Sequence, residues 1–440
     1  MAQRQSQPSP PHTAKQPDNP TIQQLSLYRN LSVYAHALVL FNTLGIPLSN
    51  AVVLEFYFST LFATRSLVAV AGVVALQGVG VKLGVGCVWY SWREGERRRW
   101  KRGKGIVKGV FGLGAILACG CMFALAFYDG GGEKRATSYT AVLALRGVGI
   151  GFGLGVVGAV SREVVKSHYR GDAGVVGLQS GFAGGLGAVV YTSVVRVGFS
   201  REHEGWAGLV SGGVMVGTLG VALILLMPYP ASTTDTDGKD GRRETRSCVK
   251  AAPYLFLPVY ILITSLIPVY PLFLPLLLTQ PPSLLYPDKA TTPLLILLAT
   301  AALSSSLCGN MRVVKRIGAI TIFVAAAGLA GAVVLVAPMA WGNGVVAMVL
   351  AAVYGIGLGA VVVVNAMVWE IYLGKRDRGL RRLILGIIEG VVAAGAIVGA
   401  AAVLEGQENG VRVWGKILGA LLIGGGVLGW GWEWMGRVYG

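Results

Sequence analysis

The sequence is poor in charged residues and in the residues that build enzyme sites. Only 13% of its 440 residues are charged, against roughly 25% in soluble proteins, so an ordinary soluble domain is excluded. Its five cysteines show no paired metal-ligand spacing, and its four histidines are scattered (His12, His36, His168 and His203). No acidic pair accompanies them. We therefore expect no metal, no cofactor and no enzymatic activity.

The N-terminus lacks the short basic start and apolar core of a cleavable signal peptide. It opens instead with a polar segment rich in Pro and Gln, a composition that cannot bury enough apolar surface to fold. Residues 1–32 are predicted to form a disordered cytoplasmic tail.

Long apolar runs make up most of the remaining chain. Hydrophobic residues account for 54% of the sequence, the mean hydropathy is +0.62, and there are 64 glycines, which are commoner in transmembrane than in soluble helices. A bilayer core needs about 20 apolar residues per helix. The runs predict an all-α polytopic membrane protein with twelve transmembrane helices, at 33–53, 66–92, 105–128, 139–162, 172–195, 205–227, 251–278, 292–309, 317–338, 343–369, 381–404 and 412–434.

The distribution of basic residues predicts the orientation. Of the 38 lysines and arginines, 27 fall in the two termini and the even-numbered loops, and seven fall in the odd-numbered loops. Cytoplasmic loops are enriched in Lys and Arg, so both termini are predicted to be cytoplasmic, with the cell membrane as the expected location. The net charge of +17 then reflects membrane topology, and nucleic acid is not expected as a partner.

A long polar stretch and an internal repeat divide the chain into halves. Residues 228–250 are predicted to be a cytoplasmic linker between two six-helix bundles, 33–227 and 251–434. Gly149-x-Gly151-x-Gly153 in span 4 recurs 206 residues later as Gly355-x-Gly357-x-Gly359 in span 10. Parallel repeats of six helices are a known transporter architecture, although chance recurrence in a glycine-rich chain is the alternative. A nucleotide site is disfavoured because no P-loop lysine follows.

Several short segments, in this order and spacing, are similar to a known family. They are Leu40–Ile46 in span 1, the aromatic run Phe56–Phe58, Leu76-Gln77 in span 2, Gly147–Gly153 in span 4, His168–Arg170, and the glycine-rich Gly177–Gly187 in span 5. Together they resemble the fungal monocarboxylate-porter-like branch of the major facilitator superfamily. The resemblance covers about 30–227; the second half matches only in its spans and in the glycines of span 10.

The resemblance implies two pseudo-symmetric bundles and a secondary transporter that moves a small organic molecule by alternating access. A monocarboxylate or a secondary metabolite would be the substrate, and the protein would be monomeric. The sequence departs from the family by lacking the aspartates of loops 2 and 8 and the Asp and Arg pair of span 8. Proton coupling by the family's usual residues is therefore not expected. The alternative function is a non-transporting or sensing protein on a transporter fold.

Ionisable residues inside spans are the first candidates for function, because charge within a membrane is unfavourable and is retained for a reason. Arg146 is predicted to bind an anionic substrate, with a structural role at a helix end as the alternative. Glu389 is the only acid deep in a span, so it is the candidate for both substrate binding and proton coupling. Lys82 is expected to pair with a carbonyl or to reach the cytoplasmic surface, and His36 is expected near that surface.

Neutral polar residues inside spans complete the set. Asn42, Gln179 and Asn365 could hydrogen-bond a substrate, or could equally hold helices together. We expect the substrate to bind between the bundles, near Asn42, Arg146 and Glu389.

Overall fold

A computed structural model describes residues 22–91, 104–129, 138–169, 173–200, 204–228, 252–280, 285–308, 314, 317–340, 343–373, 378–406 and 409–439. Secondary structure in these residues is helical throughout, and twelve of the helices are long and apolar enough to cross a membrane. They are α1 (Ile22–Phe56, continued by a π-helical turn, Tyr57–Leu61), α2 (Leu67–Ser91), α3 (Lys104–Asp129), α4 (Tyr139–His168), α5 (Ala173–Ser200), α6 (Glu204–Leu225), α7 (Ala252–Leu266 and Val269–Thr279), α8 (Pro287–Cys308), α9 (Ala319–Ala340), α10 (Gly344–Leu373), α11 (Arg378–Gly406) and α12 (Gly410–Tyr439).

The twelve predicted spans are confirmed. Helices satisfy every backbone polar group within the segment, which lipid requires, and all twelve carry a window of high hydropathy. Because the number of spans is even, α1 begins on the same side of the molecule on which α12 ends. We call this the tail side and the opposite one the far side.

Several helix ends differ from the prediction. The first helix begins at Ile22, so the part of the expected tail from 22 to 32 is helical, while 1–21 lie outside the described residues. Polar side chains in this extension, such as Gln23 and Ser26, are exposed; the helix continues past its apolar part because its backbone bonds do not depend on lipid. The eighth helix likewise starts earlier, at Pro287. Residues 229–250 of the expected linker also lie outside the described part.

Glycines bring helices of the first half (α1–α6) into backbone contact. A Cβ placed on Gly155 of α4 would lie 2.1 Å from the carbonyl oxygen of Val81 in α2, and one on Gly151 would lie 2.4 Å from that of Gln77. Both distances are far below van der Waals contact, so only glycine permits this approach of α2 and α4. Small residues at such contacts are typical of packing between membrane helices.

The second half (α7–α12) repeats this contact between α8 and α10. A Cβ on Gly355 or Gly359 of α10 would lie 2.3 or 2.1 Å from a carbonyl oxygen of α8. The glycines that face the equivalent helix in the first half are Gly151 and Gly155, so the structural repeat is 204 residues. The predicted offset of 206 residues was two residues too long, because the glycine pattern alone does not show which glycines face which helix.

Helix α7 is broken at its centre and closes the far side. Its second segment, Val269–Thr279, is buried from Val269 to Leu278 and packs against α1. Pro271 has no N–H, so the Ile267 carbonyl loses its helical donor. The Tyr354 hydroxyl of α10 donates to that carbonyl over 2.5 Å, which explains how the break persists in an apolar interior.

Candidate functional site

A central cavity of about 320 Å³ lies between the two halves. Its ionisable and amide side chains all come from the tail-side half of their helices: His36, Lys82, Arg162, Lys166, Tyr260, Asn365 and Glu389. The cavity is therefore displaced from the middle of the molecule toward the tail side. Its volume lies at the lower end of the ~300–1,000 Å³ typical of small-molecule sites.

An ion pair crosses the cavity from one half to the other. The ammonium of Lys82 in α2 lies 2.7 Å from a carboxylate oxygen of Glu389 in α11. The Glu389 side chain is 9% exposed and that of Lys82 is 32% exposed, so solvent in the cavity reaches the pair mainly through the lysine. A Cβ on Gly390 would lie 3.2 Å from Lys82 Cγ, so this glycine leaves room for the lysine stem. The pairing of Lys82 differs from its predicted carbonyl or surface contact.

Two cations on the last turns of α4 line the same cavity. Span 4 was predicted to end at residue 162, but α4 continues to His168, so Arg162 and Lys166 lie on the helix and line the cavity. Their i,i+4 spacing places both on one helix face, and this spacing was the signal available in the sequence. Lys166 lies 3.9 Å from Glu163. Arg162 has no carboxylate within 4.0 Å among the described residues.

Two hydrogen bonds hold the neutral polar groups of the cavity. The His36 ring is bonded through Nδ1 to the Ser161 hydroxyl over 2.9 Å, so His36 is buried against α4 rather than lying at the surface. The Tyr260 hydroxyl donates to the Asn365 side-chain oxygen, and the Tyr260 ring stacks on Phe323 with centroids 5.6 Å apart. These contacts fix the orientation of the groups that a ligand would meet.

A salt-bridge network joins the two halves on the far side. Arg196 of α5 contacts Glu55 of α1 at 2.9 Å and Asp288 of α8 at 3.0 Å. Nearby, the Val68 amide donates to the Glu405 carboxylate over 3.4 Å, linking α2 to α11. The far side is thus closed by contacts between halves, while the cavity lies on the tail side.

Asn42, predicted to bind substrate, is completely buried outside the central cavity. Its side-chain oxygen accepts from the Tyr191 hydroxyl over 2.6 Å, and its nitrogen donates to the Thr218 hydroxyl over 2.8 Å. These bonds join α1, α5 and α6, which corresponds to the helix-joining alternative. Gln179 lies in α5, but its side chain is outside the described residues.

Arg146 also lies away from the central cavity. It is buried within the first half, where two of its N–H groups donate to Asn50 over 3.3 and 3.1 Å. The structure therefore brings Asn365 and Glu389 together in one cavity and separates Asn42 and Arg146 from it. The predicted grouping of Asn42, Arg146 and Glu389 around one substrate is not what the packing supports, because spacing along helices does not give the direction of side chains.

No protein-family model and no curated protein sequence matches the chain. Solved structures do. A crystal structure of a D-xylose–proton symporter matches with a TM-score of 0.67 and 14% identity, covering 92% of this chain and 97% of that one. The xylose transporter XylE from E. coli, in a partially occluded inward-open conformation, matches with a TM-score of 0.65 at 13% identity (92% and 99% coverage). The nucleoside transporter NupG matches with a TM-score of 0.57 at 14% identity (92% and 99%).

These likenesses span nearly the whole of each chain. They show that the twelve helices share the fold of these transporter structures, one of which is described as a member of the major facilitator superfamily.

Proposed function

We propose that the protein is a secondary transporter that moves a small organic anion by alternating access of its two halves. The observation that carries the proposal is the cavity between the halves, closed on the far side and lined by an excess of cations. Substrate sites of such transporters lie at the interface of the repeats. The basic loops support a cytoplasmic position for the tail side. We further propose that the protein lies in the cell membrane and acts as a monomer.

The charges that line the cavity support an anionic substrate. Lys82, Arg162 and Lys166 face one acid, Glu389. Lys166 has Glu163 nearby and Lys82 has Glu389, whereas Arg162 has no carboxylate within 4.0 Å in the described part of the chain. A planar guanidinium binds a carboxylate through two parallel hydrogen bonds. A monocarboxylate, as the fungal branch resemblance implies, satisfies this requirement at the available volume; a secondary metabolite bearing a carboxylate is the second candidate.

The Lys82–Glu389 pair supports coupling to protons. A substrate carboxylate that approaches Lys82 competes with Glu389 for the same ammonium. Protonation of Glu389 removes this competitor and frees Lys82 for the substrate. The proton and the anion would then bind together and cross together, as a symport. Acidic residues inside membranes are commonly proton relays of this kind.

The proposal is tested by flux into proteoliposomes that contain the purified protein, with an imposed pH gradient. The panel consists of small monocarboxylates, xylose and a nucleoside, since the similar structures are named for the last two classes. We expect uptake of a monocarboxylate, faster when the outside is acidic. Glu389→Gln should remove the pH dependence, while the matched control Glu405→Gln, at the far end of the same helix, should retain it.

Each outcome of the flux test bears on the proposal. Uptake of xylose or nucleoside without any anion would refute the anionic substrate. An unchanged pH dependence in Glu389→Gln would make Glu389 structural and favour uniport. Binding of a carboxylate without flux, detected as a rise in melting temperature, would refute transport and favour the sensing alternative.

A further inference from the structure

A second, smaller cavity lies inside the first half. It has a volume of about 40 Å³ and is lined by residues of α1 with its π-helical turn, α3, α4, α5 and α6. Most of its described lining is apolar, but the polar side chains Ser49, Tyr57, Arg146, Tyr191 and Ser211 also line it. It shares no lining residue with the central cavity, so it is a distinct site.

Arg146 carries a buried positive charge at this cavity. No carboxylate lies within 4.0 Å of it in the described part of the chain, and its residue is 8% exposed. Its Nε and one Nη donate to the Asn50 side-chain oxygen, which leaves three of the five N–H groups of a guanidinium for another acceptor. Buried charges are normally paired, so an anion is expected here.

The side-chain amide of Asn50 is itself oriented by a hydrogen bond. Its nitrogen donates to the Gln77 side-chain oxygen over 2.6 Å, which directs the Asn50 oxygen at Arg146. The Tyr57 ring lies 5.8 Å from the guanidinium carbon, within the range of a cation–π contact. Neither group carries negative charge, so both orient Arg146 without neutralising it.

Ser211 provides a second donor at the same cavity. It is 2% exposed, and its hydroxyl has no hydrogen-bond partner among the described residues. A buried hydroxyl without a partner is unfavourable, and the cavity is the space into which it can donate. The volume of about 40 Å³ exceeds the ~10–15 Å³ that one water molecule needs but is far below the ~300–1,000 Å³ of sites for organic molecules, so the space suits a small inorganic anion.

We propose that this cavity binds a single small inorganic anion of halide size, held by the guanidinium of Arg146 and the hydroxyl of Ser211. The anion neutralises Arg146 and so stabilises the packing of α1 and α4 in the first half. The site is independent of the transport proposal, because it neither lines the central cavity nor requires flux.

Chloride is the probe for the test. The melting temperature of the purified protein in detergent is measured while chloride replaces gluconate at constant ionic strength. We expect a saturable rise, as for any ligand that binds only the folded state. Arg146→Gln should abolish the rise, and Ser211→Ala should raise the half-saturating chloride concentration about tenfold, the effect of losing one hydrogen bond to a charged group. The exposed controls Arg412→Gln and Ser200→Ala should keep the full response.

Bromide provides a direct readout that does not depend on any variant folding. Anomalous diffraction from crystals grown in bromide should show a peak next to the guanidinium of Arg146. Equal melting temperatures in chloride and gluconate, or a bromide map without that peak, would overturn the proposal and leave water as the occupant. A full chloride response in Arg146→Gln would overturn it as well.

Discussion

A double-mutant cycle on Lys82 and Glu389 measures how much their ion pair contributes to the free energy of unfolding. At 2.7 Å and an effective dielectric constant of about 20, their Coulomb attraction is ~6 kcal/mol. Loss of hydration by the carboxylate, which is 9% exposed, offsets several kcal/mol of this. Exposed pairs contribute ~0–1 kcal/mol, and breaking buried ones is destabilising by ~3–5 kcal/mol. For this partly buried pair we expect a coupling free energy of about 2 kcal/mol.

The two single variants should lower the free energy of unfolding by different amounts. Lys82→Gln leaves a nearly buried carboxylate without its cation, and we expect a loss of about 2.5 kcal/mol in the free energy of unfolding. Glu389→Gln leaves an ammonium on a side chain that is 32% exposed and can turn to water, for a loss of about 1 kcal/mol. The double variant removes both charges, so its loss should be clearly smaller than the sum of the single losses.

Thermal unfolding in detergent, followed by tryptophan fluorescence, measures these differences. Lys82→Gln should lower the melting temperature by about 5 °C, at ~2 °C per kcal/mol for a long chain. A parallel cycle of Lys82→Gln with Glu405→Gln, an acid at the far end of α11, should be additive. Additivity in the Lys82–Glu389 cycle too would refute the pair as a stabilising link between the halves.

Two further predictions concern the far-side closure and the helix packing. Arg196→Gln removes the contact that joins two acidic partners across the halves, so amides at the far-side ends of α1 and α8 should exchange faster with deuterium; Arg412→Gln should leave them unchanged. Gly155→Ala would place a Cβ 2.1 Å from the Val81 carbonyl oxygen, and overpacking of this kind is destabilising by ~1–3 kcal/mol. Gly120→Ala, with no atom within 4 Å of its Cβ, should keep the melting temperature of the unsubstituted protein.

The number of helices could be predicted from the sequence, because the hydropathy of each span is set by the membrane itself. The twelve spans are an example. The Gly-x-Gly repeat linked α4 with α10, but the structural repeat is 204 residues and not the predicted 206. Helix ends were less predictable: α4 runs on to His168, past the predicted end of span 4 at residue 162, and so carries Lys166 into the cavity. Helical backbone needs no apolar side chains once it has left the bilayer.

The candidate site was only partly predictable. Glu389 was singled out because it is an acid deep in a span, but its partner Lys82 lies 307 positions away in sequence, and only packing brings them to 2.7 Å. Asn42 and Arg146 were singled out by the same reasoning, yet their side chains turn into the first half. In these helices apolar residues lie on all faces, so the sequence of one helix does not show which face points to the cavity. The neighbouring helices determine that direction.

The glycine contacts within each half also determine which mutations lower the abundance of the protein and which lower only its transport. Substitutions at Gly151, Gly155, Gly355 and Gly359 would place a Cβ against a backbone carbonyl of the neighbouring helix, so they should reduce the amount of folded protein whatever the substrate. Substitutions at Arg162 or Asn365 face an open space and should leave expression intact. A saturation library scored for abundance would therefore mark two bands of intolerance 204 positions apart, and the same library scored for uptake would mark additional positions. The positions that impair uptake but not abundance would outline the substrate site.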